Sequence, residues 1–304
     1  MSESPIQFAS EQRALQTRDP ATAEEAFREI DIQLRSLADA SEKANLILRK
    51  AVLLGILHRF DDARRQLDLA LEEAPDDPDV RFQFDFIGGT LCDEEGKPSE
   101  AVARLTTVLS NFGERLAKPE GRFFYEDIQL RRGFDLACLS RFQEASLLLE
   151  ESLSFELKSE DRSRVLSSLG LCCRELKDYE RARHFLEESL TFDLKSEERS
   201  RAFSNLGLCC SELKDYERAK DYFLQALEIG LTKEWEGHVH FYLALSYAHL
   251  NLFREAKREF QLCEVRAAEY QLQIQNVYKW LSWVCKGLGE RAEAEKYARL
   301  SRPS

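Results

Sequence analysis

Cysteine pairs are the first feature of this sequence that could carry chemistry. The pentapeptide LGLCC occurs at residues 169–173 and again at residues 206–210, so two pairs of adjacent thiols recur 37 positions apart. Four thiolates could bind a zinc ion, form disulfides or act as a redox device. Alternatively, the pairs occupy one structural position that recurs in each copy of a repeat. The secondary structure around the cysteines decides between these alternatives.

The spacing within each pair disfavours a metal site. Zinc ligands commonly come from cysteines that are separated by a few residues on a turn. On a helix, adjacent residues diverge by about 100°, so Cys172 and Cys173 do not face one ion together. The five histidines form no HExxH motif, and His238 and His240 are predicted to be surface or groove residues. We therefore expect no metal ligand.

Sequence motifs for catalysis or cofactor binding are also missing. The glycines form neither GxGxxG nor GxxxxGK[ST], the two motifs whose backbone cradles a phosphate. The runs of acidic residues are typical of solvated helix faces. The sequence therefore predicts a non-enzymatic protein without catalytic residues or cofactors, although a triad assembled only in space leaves no motif.

The cysteine pairs belong to a long internal repeat. Residues 155–191 and 192–228 are identical at 23 of 37 aligned positions. Within each copy, apolar residues recur at steps of three and four, the period of a helix. The alanine of DYERA marks the same register at intervals of 37 to 44 residues: Ala26, Ala63, Ala101, Ala145, Ala182, Ala219, Ala256 and Ala294. This register predicts one all-α domain over residues 1–304, built from antiparallel helical hairpins of about 37 residues.

The register gives the cysteines a structural role. Four of them lie nine residues before the anchor alanine, where other copies carry leucine or tyrosine: Cys92, Cys173, Cys210 and Cys285. Cysteine at a core position acts as a small hydrophobe, and only Cys138 falls outside the repeated columns. Helices pack about 8–10 Å apart, whereas the Cα atoms of a disulfide lie within about 7 Å, so equivalent cysteines of neighbouring repeats do not pair. An offset disulfide, such as Cys173 with Cys209, stays open at this point.

The hairpin unit resembles the tetratricopeptide repeat family. The resemblance rests on LG in the middle of the first helix, on DYERA at the start of the second, and on Pro75 at the end of one copy. It covers roughly residues 7–300 and is strong over 163–260. The unit is longer than the family's usual length of about 34 residues, and we place the extra residues in links such as DLKSEERS (193–200). The resemblance implies a right-handed superhelical solenoid whose first helices line a concave, peptide-binding groove.

One interval in the register is longer than the others. The 44 residues between Ala101 and Ala145 include NFGERLAKPEGRF at 111–123. Insertions at a protein surface are tolerated well. This segment is therefore predicted to be a surface loop or an extended helix end.

Composition and charge limit the class of partner. The chain has 43 Lys and Arg residues against 55 Asp and Glu residues, a net charge of −12, which disfavours binding to nucleic acid or to an anionic membrane. The first residues lack the basic start and apolar run of a secretory signal. The longest strongly apolar run, AVLLGIL at 51–57, is too short to span a bilayer. These features predict a soluble, cytoplasmic protein.

One column of the repeat is predicted to face the groove. It stands one residue after a small residue of the first helix, it is apolar in seven of eight copies, and basic residues flank it. The predicted peptide-binding groove comprises Phe134, Arg164, Leu171, Arg174, Arg201, Leu208, His238, Phe241, Leu245, Lys279, Trp283 and Lys286. An apolar stripe with basic neighbours suits an amphipathic helix or an extended segment with acidic residues. Alternatively, part of the stripe packs against adjacent repeats.

The predicted function is the binding of a protein or peptide by a scaffold. A receptor for a short signalling peptide is one alternative, and a cysteine-based metal or redox protein is another. Terminal repeats need capping, so self-association through the terminal repeats is a further prediction.

Overall fold

The computed structural model describes residues 20–270 and 272–302, and every regular element in these two stretches is a helix. This confirms the all-α prediction. The chain forms two compact units, residues 1–148 and 149–304, and the single domain expected from the register stays a prediction. Within the described stretches, none of the helices is long and apolar enough to cross a membrane.

The first unit contains six helices and the start of a seventh. Their bounds are α1 Pro20–Ser36, α2 Ala40–Ile56, α3 Phe60–Glu73, α4 Pro78–Glu94, α5 Pro98–Leu116, α6 Arg122–Cys138 and α7 Phe142–Ser152, which continues into the second unit. The predicted hairpins are present, since α2 packs against α3 and α4 packs against α5. Phe82, Leu105 and Ile128 are fully buried in the core of this unit.

The second unit repeats the hairpin four times. Its helices are α8 Ser159–Glu175, α9 Tyr179–Ser189, α10 Ser196–Glu212, α11 Tyr216–Ile229, α12 Lys233–His249, α13 Phe253–Val265, α14 Ile274–Gly287 and α15 Arg291–Leu300. Each even-numbered helix is the first of a hairpin and packs against the odd-numbered helix that follows it. In addition, α8 contacts α10, α10 contacts α12, and α12 contacts α14. The first helices therefore lie side by side.

Small residues explain the register of the repeat. All eight anchor alanines are buried, each on an odd-numbered helix. The glycine on the facing helix leaves no room for a side chain. A Cβ atom on Gly170 would lie 2.5 Å from Leu186 Cγ, and a Cβ atom on Gly207 would lie 2.5 Å from Phe223 Cε1. The two helices of a hairpin can approach closely only because these positions are small.

The turn inside each hairpin contains one residue in the left-handed region, which the periodicity did not predict. Five residues before the anchor alanine, φ lies between 56° and 77° at His58, Gly96, Ser140, Lys177, Lys214, Asn251 and Gly289. A residue with a Cβ atom loses about 1–2 kcal/mol in this conformation. The repeats at 155–191 and 192–228 place Lys177 and Lys214 there. The turns of these two hairpins are therefore strained, and the packing of the helices offsets the strain.

The segment 111–123 is an extended helix end rather than a loop. Helix α5 continues to Leu116, a 3₁₀ turn spans Pro119–Gly121, and α6 begins at Arg122. Phe112 departs from helical geometry, with φ −122° and ψ 18°. The extra residues therefore lengthen and bend α5 before the chain turns into the next hairpin.

Candidate functional site

One column of apolar side chains lies between the core and the solvent. Leu171, Leu208 and Leu245 occupy the predicted groove position on α8, α10 and α12, and each is half-buried. Trp283 continues the column on α14, with 42% of its surface exposed. Each member therefore offers part of its apolar surface to a partner. We call the side of the second unit that carries this column the first-helix face.

A pocket opens between α8 and α10 on this face, with a cavity volume of about 240 Å³. Apolar side chains form its floor: Leu171, Leu186, Leu194 and Ala202. Polar side chains surround the floor: Ser163, Arg164, Ser167, Ser168, Glu198, Arg201 and Asn205. This α8–α10 pocket brings together Arg164, Leu171 and Arg201, three of the residues predicted for the groove.

The charged groups of this pocket are two guanidiniums and one carboxylate. Arg164 and Arg201 are exposed. Arg201 Nη1 lies 3.6 Å from Glu197 Oε1 on the same helix, and a solvent-exposed pair of this kind contributes little. Glu198 Oε2 accepts a hydrogen bond from the backbone N–H of Lys195 at 3.2 Å, so this carboxylate is used in capping α10. The residues that line the pocket carry a net charge of +1, two guanidiniums against one carboxylate.

Arg174 acts on the pocket through Asn205. Although predicted for the groove, Arg174 does not line the pocket, and its guanidinium donates to Asn205 Oδ1 and to the carboxylate of Glu175. Because Asn205 Oδ1 accepts this bond, the amide nitrogen is the group that can donate to a molecule in the pocket. Arg174 thus orients the side chain of Asn205.

Two further pockets place other predicted residues on the first-helix face. His238 and Phe241 line a pocket of about 340 Å³ between α12 and α14. Leu245 lines a pocket of about 250 Å³ together with Tyr216 and His249. Leu208 lines neither of these two pockets. It packs against the core, and part of its side chain is exposed.

Trp235 marks a part of this face that the repeat register does not predict. It lines a cavity of about 630 Å³ with Leu231, Gly230 and Arg201. Arg201 also lines the α8–α10 pocket, so the two cavities share a wall. Trp235 stands near the start of α12, outside the apolar column, and a tryptophan so close to the link between repeats was the signal that could have revealed it.

Aromatic side chains surround the exposed Trp283. Its ring centroid lies 5.6 Å from that of Phe253, 5.7 Å from Trp280 and 6.2 Å from His249. Partial desolvation beside these rings lowers the pKa of His249 below its ordinary value. The four rings form an aromatic cluster at the end of the column.

The remaining predicted residues do not line these pockets. Lys279 and Lys286 are exposed on α14. Phe134 is half-buried on α6, in the first unit. Their assignment to a binding groove stays a prediction.

His238 and His240 differ in their surroundings. His238 is exposed and faces a pocket, in line with its predicted position. His240 Nδ1 lies 2.7 Å from Glu259 Oε2 on α13, and its ring stacks on Tyr270 at a centroid distance of 6.0 Å. The surface or groove prediction was therefore wrong for His240, because this side chain faces the second helix of its own hairpin.

Most of the thiols are buried. None of the eight cysteines forms a disulfide, and all except Cys138 are buried. Burial raises the pKa of Cys172 and of Cys209 to about 12, so their thiolates are rare at neutral pH. Cys173 and Cys209, the offset pair, lie in one core cluster and are not bonded. This burial agrees with the structural role that the register assigned to them.

One cluster in the described stretches has the composition of a metal site. The ligand atoms of Cys285, Glu290 and Glu293 lie within 4.8 Å of one another. However, Lys257 Nζ lies 2.6 Å from Glu290 Oε2 and 2.7 Å from Glu293 Oε2. The ammonium group already forms ion pairs with both carboxylates, so this arrangement favours an ion-pair cluster over a metal centre.

Two segments of the second unit match a known repeat in sequence. Residues 163–196 and residues 200–229 each match a sequence profile described as a tetratricopeptide repeat. No curated protein matches the chain significantly.

Solved structures share the fold at low sequence identity. The apo form of the quorum sensor NprR from B. thuringiensis is similar with a TM-score of 0.62 and 15% identity, over 96% of this chain and 95% of that chain. The APC/C hetero-tetramer Cut9–Hcn1 is similar with a TM-score of 0.54 and 16% identity, over 90% of this chain and 48% of that chain. At these identities the likeness shows the fold.

Proposed function

The chain is a tetratricopeptide repeat protein, and on that premise we propose that it is a non-enzymatic scaffold whose first-helix face binds a segment of a protein partner. The observation that carries the proposal is the α8–α10 pocket. It combines an apolar floor, hydrogen-bonding groups and two guanidiniums, and three of the predicted groove residues line it.

The half-buried column supplies the apolar part of the proposed contact. Leu171, Leu208 and Leu245 are held by their own core on one side, so a partner can cover the rest of each side chain without ordering it first. Each Å² of apolar surface that is covered contributes about 25 cal/mol. Trp283 adds an exposed aromatic side chain, a residue type that dominates many binding interfaces.

The partner segment that we propose is apolar with acidic residues beside the apolar ones. Arg164 and Arg201 flank the floor of the pocket, and a guanidinium binds a carboxylate with paired hydrogen bonds. Both an extended peptide and an amphipathic helix can present such a pattern. Self-association through the terminal repeats stays a prediction beside this one.

The proposal is tested with peptides selected from a random display library against the full-length chain. Leu171→Glu places a charge in the floor of the pocket, and Leu208→Glu places one in the next repeat. We expect each variant to bind the selected peptides at least about tenfold more weakly, a loss of about 1.4 kcal/mol. Binding is measured by fluorescence polarisation.

Leu224→Glu is the matched control. Leu224 is 42% exposed on the second helix α11, so it takes the same substitution outside the first-helix face. Failure to select any peptide, or an equal loss of binding in the Leu224→Glu variant, would refute the proposal. A loss of helicity in Leu208→Glu would show that Leu208 belongs to the core.

A receptor for a short signalling peptide is a second proposal. NprR, whose fold is similar over nearly the whole of this chain, is a quorum sensor. A pocket of about 240 Å³ is of a size that one side chain of a short peptide can fill. A ligand that binds only the folded state raises the melting temperature, so we expect free peptides of five to ten residues to raise it under this proposal, whereas a protein-binding scaffold needs longer segments.

A further inference from the structure

The α8–α10 pocket is hollow at three positions that larger side chains fill at the α10–α12 junction, where a second cavity remains beside Trp235. Helices α10 and α12 are related to α8 and α10 by a shift of 37 residues in the sequence. At the α10–α12 junction, Tyr242 stacks on Phe223 with ring centroids 6.3 Å apart. At the α8–α10 junction, the equivalent positions are Asn205 and Leu186, and both line the cavity.

A third position shows the same difference in volume. Val239 is buried at the α10–α12 junction, and its equivalent at the α8–α10 junction is Ala202, which lines the cavity. Three substitutions toward smaller side chains therefore coincide at one junction between two repeats of nearly the same sequence. Protein interiors are normally packed without such gaps, and the missing volume opens onto the first-helix face.

The size of the cavity suits one apolar side chain. An apolar cavity of about 150 Å³ in an engineered protein binds benzene, and this pocket has about 240 Å³. Its floor is apolar, so a leucine-like or phenylalanine-like group restores contacts that the repeat itself lacks.

The rim adds a preference for negative charge beside the apolar group. Arg164 and Arg201 are exposed there, and Glu198 is engaged at the N-terminus of α10. The amide nitrogen of Asn205, oriented by Arg174, can donate to a main-chain carbonyl of the bound segment. The basic rim and the apolar cavity thus favour the same occupant, an apolar side chain with an acidic residue beside it.

We infer that the α8–α10 pocket is the specificity pocket of this scaffold and takes one apolar side chain from an internal partner segment, next to an Asp or Glu that binds Arg164 and Arg201. This inference rests on the proposed function. It adds that the scaffold selects an apolar residue next to an acidic one. A scaffold could bind peptides without this selectivity.

The test uses peptides longer than ten residues that are acetylated and amidated, in which two adjacent central positions are fully varied. The full-length wild-type chain should favour an apolar residue beside an acidic one by about tenfold over the same residue beside Gln. The double variant Leu186→Phe/Asn205→Tyr copies the side chains of the next junction and fills the pocket. We expect it to lose the apolar preference, whereas Arg164→Gln/Arg201→Gln loses only the acidic preference.

Control variants separate the loss of the pocket from a general effect of added bulk or of misfolding. Leu224→Phe/Gln225→Tyr adds the same bulk on the exposed side of α11 and should leave both preferences unchanged. If the filled variant does not fold, as judged by helicity and thermal unfolding, Ala202→Val replaces it, since valine occupies the equivalent position in the next repeat.

Each result decides one of the two proposals. If neither the capped peptides nor the same peptides with a free C-terminus bind the wild-type chain, the proposed function fails together with this inference. If peptides bind and the filled variant keeps the wild-type preferences, only the specificity pocket is refuted. Binding that requires a free C-terminal carboxylate would refute the assignment to an internal segment.

Discussion

At the scale of single residues, burial controls the chemistry of the cysteines. Cys138 is exposed, whereas Cys172 and Cys209 are buried and their pKa is raised to about 12. The thiolate is the form that reacts with thiol reagents. The buried thiols are therefore protected twice, by a lack of access and by a lack of ionisation.

We expect one thiol of the native chain, that of Cys138, to react rapidly with an aromatic disulfide reagent at mildly alkaline pH. The other seven should react only after the chain is unfolded in guanidinium chloride. Absorbance gives the number of reacted thiols, and peptide mapping by mass spectrometry identifies them. Cys138→Ser should remove the rapid phase, and rapid labelling of Cys172 or Cys209 would contradict their burial.

The residues of the site could be predicted only where the register fixes their direction. Arg164 and Leu171 were placed by counting from the anchor alanine, and both line the α8–α10 pocket. Asn205 was not predicted, because its orientation depends on a hydrogen bond from Arg174 in the preceding repeat. Trp235 was missed because its position depends on how the link leads into α12. Contacts between repeats are not encoded in the periodicity of one repeat.

At the scale of elements, each described hairpin turn has a residue with positive φ at the same place, and the turn is strained where that residue is not glycine. Lys177 joins α8 to α9 with φ 64°, while two other copies place glycine at this position. The helices themselves could be predicted, since each has an apolar side with the period of a helix. The left-handed turn residue could not, because lysine, serine and histidine do not signal a positive φ.

Lys177→Gly should stabilise the second unit. Glycine adopts positive φ without the cost of about 1–2 kcal/mol that other residues bear, and its larger freedom in the unfolded chain removes part of this gain. We expect a net increase of about 0.5–1 kcal/mol in the free energy of unfolding, measured by urea denaturation monitored through helicity.

Lys195→Gly provides the comparison for this prediction. Lys195 precedes α10 with φ −60°, so glycine relieves no strain there and only adds freedom to the unfolded chain. It should destabilise the protein by roughly 0.5–1 kcal/mol. Equal effects of the two substitutions would show that the turn at Lys177 is not strained.

At the scale of the whole molecule, the contacts within each unit are local in sequence. The helix pairs that pack together within a unit are neighbours in the chain or are separated by one helix. The stability of such an array is approximately a sum over repeats and their nearest-neighbour contacts. A local defect should therefore loosen the repeats near it and leave distant repeats unchanged.

A pair of glycine substitutions tests this locality. A Cβ atom on Gly207 would lie 2.5 Å from Phe223 Cε1, in the second unit, and a Cβ atom on Gly89 would lie 2.9 Å from Leu105 Cγ, in the first. Overpacking of this kind costs about 1–3 kcal/mol. In native-state hydrogen exchange, Gly207→Ala should accelerate exchange in α10 and α11 and leave α4 and α5 as in the wild type. Gly89→Ala should give the reverse pattern. A uniform acceleration over both units in either variant would mean that the chain opens as one cooperative body, and the nearest-neighbour account would then fail.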